Sequence, residues 1–157
     1  MERPPIFVVN LAGATARWAR IAASLGESGL SWFQRFDAVD GRLLAEDVMR
    51  KSVDRDFFTG WYGRPPSAGE IGCTLSHLGV YERMLDMQAH FAVVLEDDAL
   101  PMPDVASLLE EKDLHKWMAS DCPRVLLLSA ADRFLRRGGF AVGPRHCAHR
   151  VRNAWLA

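Results

Sequence analysis

Lysine, cysteine and long apolar runs are what this 157-residue chain has least of. Only Lys51, Lys112 and Lys116 stand among its 19 basic side chains. A phosphohydrolase built on an Asp nucleophile and a phosphate-binding Lys is therefore poorly supported. Its three cysteines, Cys73, Cys122 and Cys147, are odd in number and far apart, which fits neither a disulfide framework nor a closely spaced zinc pair. No run approaches 18 apolar residues, and the N-terminus lacks the charged-then-apolar pattern of a signal peptide. The expectation is a reducing, cytoplasmic setting without a membrane span.

What is present is the composition of an ordinary globular domain, with charged residues at 25%. The net charge of −1 conceals an uneven distribution. Residues 133–157 carry six arginines (Arg133, Arg136, Arg137, Arg145, Arg150, Arg152) and no acid, whereas residues 1–132 hold 13 basic and 20 acidic side chains. The chain thus divides into a domain at 1–132 and a basic C-terminal segment at 133–157, which need not order. That segment suits phosphate or an anionic membrane surface. It has little aromatic interleaving, so nucleic acid is not expected as a partner.

The stretch Phe91-Ala92-Val93-Val94-Leu95-Glu96-Asp97-Asp98 is an apolar run ending in three carboxylates, with Pro101 and Pro103 beyond it. Such a run reads as a buried strand whose acids lie where the chain leaves the sheet. Ligands of open α/β sheets collect at that edge. Three adjacent acids repel one another, and a hard divalent cation, Mg²⁺ or Mn²⁺, relieves the repulsion through oxygen ligands. A solvated acidic turn would carry the same residues.

Other segments fit the same sheet. Ile6–Leu11 reads as a buried strand with Asn10 at its exit, and residues 14–25 as an amphipathic helix with Trp18, Ile21, Ala22 and Leu25 on one face. Thr15 and Arg17 then lie at the helix N-terminal turn, where an anion could be held. A second strand at residues 32–36 closes on Asp37 and Asp40, completing a right-handed, parallel βαβ unit. Residues 42–67 predict a short helix at 43–49 and then a long aromatic, Gly- and Pro-rich connection able to cover a ligand. Ser67-Ala68-Gly69-Glu70 is a capping box. The helix it opens should run to about residue 88 with Ile71, Leu75, Leu78, Tyr81 and Leu85 facing the core. Cys73 and His77, one turn apart beside Glu70, read more readily as polar fillers against packed helices than as a metal pair. A helix at 105–118 and a strand at 124–129 follow. Residues 130–157 show no strand pattern, though 153–157 resemble the start of another element.

Four segments in order, Asn10-Leu11 with Thr15 and Arg17, then Phe36 to Gly41, then Gly69 to Cys73 with Leu75-Ser76-His77, then Leu95 to Asp98, resemble glycosyltransferase family 25. The resemblance covers residues 6 to about 130. It implies an α/β, GT-A-like nucleotide-sugar-binding fold with a mainly parallel central sheet, cut short at the C-terminus. The implied activity is inverting transfer of a sugar, usually galactose, from a UDP-sugar to a lipooligosaccharide or other surface-glycan hydroxyl. The resemblance further implies Mn²⁺ (or Mg²⁺) held by Glu96 and Asp98. It places Asn10, Thr15, Arg17, Asp37, Asp40, Glu70, His77 and Asp97 around the donor. It assigns no catalytic base. A bacterial enzyme at the inner face of the cytoplasmic membrane follows from that picture. A homodimer covering the exposed part of the sheet, or a catalytically silent binding module, is the alternative.

Overall fold

In the computed structural model, residues 3–119, 124–128, 139–142, 144 and 146–149 are described. The centre is β1 (Ile6–Asn10), with β2 (Phe33–Asp37) on one side and β3 (Val93–Glu96) on the other, all parallel. Of these, β1 and β3 were legible as apolar, β-branched runs, and β2 as a mixed aromatic and polar stretch closing on Asp37. The registers place Asn10 opposite Asp37 and Val9 opposite Glu96, so all three polar exits share one edge.

Both faces of β1 are buried, as its continuous apolar run requires. Period-2 alternation sends Ile6 and Val8 to one face and Phe7 and Val9 to the other. On the first face lies α1 (Thr15–Glu27), through Ile21 and Leu25. It is joined there by α5 (Val105–Leu109) and α6 (Lys112–Met118), through Leu108, Leu109 and Leu114. On the second face lies α4 (Ala68–Asp86), through Val80 and Met84. The crossovers from β1 to β2 and from β2 to β3 run in opposite directions along the sheet. Right-handed connections therefore put their helices on opposite faces.

The capping box of α4 forms as expected, with Ser67 Oγ accepting from the Glu70 N–H and the Glu70 carboxylate accepting from the Ser67 N–H. Its core face forms only in part, with Ile71 buried as expected and Leu75 half-buried. Ile71, Gly72, Ser76 and Val80 are buried, whereas Leu78, Tyr81 and Leu85 are exposed, Leu85 at 78%. The helix docks through small residues that let backbones meet. A Cβ on Gly72 would stand 2.5 Å from the Val39 carbonyl oxygen, and one on Gly41 would overlap that of Ala68.

Elsewhere the differences are local. The helix expected at 43–49 becomes a 3-10 turn at Gly41–Leu43 followed by α2 (Glu46–Ser52). The aromatic connection contains α3 (Arg55–Tyr62), capped by Asp54, which accepts from the Phe57 N–H, and closed by Gly63 in the left-handed region. The helix expected at 105–118 breaks at Glu110 and Glu111. In one continuous helix Leu109 and Leu114 would point about 140° apart, and the break lets both enter the core. Residues 124–128 form no strand, so the expected strand at 124–129 is not seen there, and Ser129 lies outside the described residues. A short antiparallel pair, β4 (Phe140–Ala141) and β5 (Cys147–Ala148), lies where no strand was expected. The element expected at 153–157 and most of the basic segment lie outside the described residues. Among the described residues no helix is long and apolar enough to cross a membrane.

Candidate functional site

The edge where the three strands end divides its acids between the two faces of the sheet, and strand pleating explains how. Val94 and Glu96 share one side of β3 and Asp97 falls on the other, with Leu95. Asp97 accordingly turns toward α1. It is buried, accepts from Asn10 Nδ2 at 2.6 Å, and pairs with Arg17 Nε at 3.3 Å. Asn10, also buried, donates to the Ala14 carbonyl at 3.2 Å as well. Its Oδ1 has no donor among the described residues. Such a buried orphan costs about 1–3 kcal/mol unless a water or ligand supplies one. Asp97 thus ties the end of β3 to the start of α1.

Glu96 turns the other way. Its Oε1 lies 3.8 Å from His77 Nε2 and 3.9 Å from Cys73 Sγ. The three side chains place one donor atom each within 4.8 Å of one another. Cys73 is exposed as a residue, so it is no core filler; partial desolvation of its thiol, then the neighbouring Glu96 charge, raises its pKa. Asp98 is exposed and has no hydrogen bond or ion pair with any described residue.

Asp37 reaches the edge but is largely exposed, with Arg35 Nε at 3.3 Å. Thr15 is exposed at the first turn of α1, whose N-cap, Ala14, gives no side-chain cap. Those first-turn N–H groups remain available to an anion. Two of the expected donor-site acids are committed elsewhere. Asp40 is gripped by Arg42 through Nε at 2.8 Å and Nη2 at 2.6 Å, which lowers its pKa. Glu70 is gripped by Arg64 at 2.7 and 2.8 Å, and that pair, with the Ser67 hydrogen bonds, holds its pKa at about 2.

Sequence reasoning missed what Gly41, Gly72 and Ser76 do. Ser76 Oγ accepts from the Val39 N–H at 2.9 Å and donates to the Gly72 carbonyl at 2.6 Å, bolting α4 to the loop after β2. Small residues spaced 72, 76 and 79 were the available signal. Gly79 completes the stripe against the Phe36 ring.

A parallel sheet covered on both faces, with polar strand exits gathered at its carboxyl edge, defines an α/β protein of the ligand-binding-edge class. Residues 3–123 match the model of glycosyltransferase family 25 (LPS biosynthesis protein). The chain belongs to that family. It is 37% identical over 97 residues to a glycosyltransferase 25 family member of Aedes aegypti, covering 59% of this chain and 16% of that protein. Over the same length it is 38% identical to a probable inactive glycosyltransferase 25 family member 3 of Bos taurus (59% and 16%). It is 32% identical to procollagen galactosyltransferase 2 of Homo sapiens (59% and 15%). The chain therefore corresponds to only a small part of each of these relatives.

Proposed function

We propose that this chain is the donor-binding part of a glycosyltransferase with a GT-A-type fold, taking a UDP-sugar at the carboxyl edge of the sheet. The observation that carries the reading is the convergence of Asn10, Asp37 and the Glu96–Asp98 turn at that edge, in a family-25 chain. Asp98 and Glu96 fit Mn²⁺ or Mg²⁺, because both are exposed carboxylates and hard cations take oxygen ligands. A metal held there would supply Lewis-acid neutralisation of the diphosphate leaving group. Arg17 and the uncapped first turn of α1 contribute positive potential on the neighbouring side of β3. Asn10 and Asp97 position that turn, and Asp37, largely exposed beside Arg35, would accept from ribose hydroxyls. Galactose as the donated sugar, a surface glycan as acceptor and anionic lipid as docking surface for the basic segment extend the same proposal.

Calorimetry with UDP and UDP-galactose, with and without Mn²⁺, on the wild type and Asp98→Ala tests it. Metal-dependent binding lost in the variant is expected. Absence of binding by folded protein would refute the donor site. A second reading, a silent binding module, is favoured by the commitment of Asp40 and Glu70 to arginines and by relatives named inactive. It is distinguished by donor binding without sugar transfer or donor hydrolysis.

A further inference from the structure

The donor reading uses oxygen ligands only and leaves Cys73 and His77 without a role. We infer that Cys73, His77 and Glu96 form a binding site for a borderline-soft divalent cation of the Zn²⁺ or Co²⁺ type, open to solvent at its fourth position. Three observations carry it. Cys73 and His77 stand at i and i+4 on α4, one above the other on a single helix face. Glu96 reaches both from the end of β3, an element distant in sequence. The face they share is only partly buried, with His77 at 30% and Glu96 at 60% side-chain exposure, so a cation can enter and keep a water.

The geometry is near what such a cation needs. Tetrahedral zinc with bonds of about 2.0–2.3 Å holds its ligand atoms roughly 3.4–3.6 Å apart. Here Glu96 Oε1 stands 3.8 Å from the imidazole and 3.9 Å from the thiol, and all three atoms lie within 4.8 Å. Contraction by a few tenths of an ångström at Glu96, and by up to about 1.3 Å between thiol and imidazole, closes the set, a range that side-chain rotation can supply. The scaffold is stiff where it matters, because Gly72 and Ser76, flanking Cys73 and His77, are locked against the loop after β2. Binding displaces the thiol proton: Cys73–SH plus M²⁺ gives Cys73–S–M⁺ and H⁺, so affinity rises with pH. Thiolate and imidazole favour Zn²⁺ and Co²⁺ over Mg²⁺ and Mn²⁺, the reverse of a site made from Asp98 and water.

This site needs no nucleotide and stands apart from the donor proposal, with Glu96 the one residue shared. The test is titration of the full chain with Co²⁺ alone, read by thiolate-to-cobalt charge-transfer absorption and tetrahedral d–d bands, followed by displacement with Zn²⁺. The expected result is one equivalent bound with a charge-transfer band. That band should vanish in Cys73→Ser, affinity should fall by about tenfold or more in His77→Ala and Glu96→Gln, and Cys147→Ser should behave as wild type. Unchanged apo circular dichroism and melting show that the variants fold, as these partly exposed positions lead one to expect. A band surviving Cys73→Ser, binding lost instead in Asp98→Ala, or no binding by folded wild type would overturn the inference.

Discussion

Gly72→Ala separates helix propensity from packing, because the two predict opposite signs. In the interior of α4 an alanine should stabilise by about 0.5–1 kcal/mol over glycine if nothing opposes it. The structure opposes it. The added methyl would lie 2.5 Å from the Val39 carbonyl oxygen and 2.7 Å from the Gly41 nitrogen, both backbone atoms that no rotamer change can move. Relief requires α4 to withdraw by roughly 0.7 Å or more. The 2.9 Å bond from the Val39 N–H to the buried Ser76 hydroxyl would then stretch beyond hydrogen-bonding range. Overpacking of this kind costs about 1–3 kcal/mol. The lost buried bond adds about 1 kcal/mol. Net of propensity, Gly72→Ala should destabilise by roughly 1–3.5 kcal/mol, read as a lower urea midpoint at unchanged m-value. Gly60→Ala in α3 is the control, since a Cβ there meets nothing within 4 Å and should stabilise by about 0.5–1 kcal/mol. A neutral or stabilising Gly72→Ala, alongside a normal control, would refute the close docking of α4. The same withdrawal moves Cys73 and His77 away from Glu96, so Co²⁺ affinity should fall in parallel with stability.

Asn10→Ala removes the donor to buried Asp97 and should cost about 1–3 kcal/mol in chemical denaturation, whereas Asp98→Ala, at an exposed acid with no partner among the described residues, should stay within about 0.5 kcal/mol. Equal effects from the two would contradict the division of the acidic turn. Glu70, held at about 2 by Arg64 and Ser67, gives stability that is fully present above its ordinary carboxylate pKa and lost as pH falls through its folded value. The melting gap between wild type and Glu70→Gln should therefore be constant from neutrality to about pH 5 and close between pH 4.5 and 2, and a pH-independent gap would show that the Arg64 pair contributes nothing through charge.

The sheet was legible because β1 and β3 are short apolar runs with polar exits and β2 follows the first helix as its βαβ partner, and α4 was legible at its start because a capping box is a local code. The face of α4 was not. Leu75, Leu78, Tyr81 and Leu85 repeat at helical spacing and suggest a core, yet the helix meets the sheet through Val80 and Met84 and docks on the loop after β2 through Gly72 and Ser76, with Gly79 against Phe36. Hydropathy weighs side-chain size, and a contact made by the absence of side chains leaves it no signal. The pairing of β4 with β5 was hidden for a related reason: two-residue strands carry too little alternation to stand out. Helix α3 was legible in principle, since Asp54 and Gly63 bracket it, but its aromatic content reads as a loop over a ligand.

The acidic turn shows how topology assigns chemistry that composition leaves open. Three consecutive carboxylates look interchangeable as a string. Along a strand, however, alternate residues belong to opposite faces, and here those faces carry different helices. Asp97 meets α1, where Asn10 and Arg17 neutralise it and fix the loop. Glu96 meets α4, where, among the described residues, a thiol and an imidazole face it. Asp98, beyond the strand, meets solvent. A register slip of one residue in β3 would exchange Glu96 and Asp97, burying the longer acid beside Arg17 and offering the shorter one to His77. The apolar residues resist that slip, because Val93 and Leu95 pack with α1 while Val94 packs with α4, and all would change faces together. The hydrophobic alternation of β3 therefore decides which carboxylate is structural and which faces Cys73 and His77.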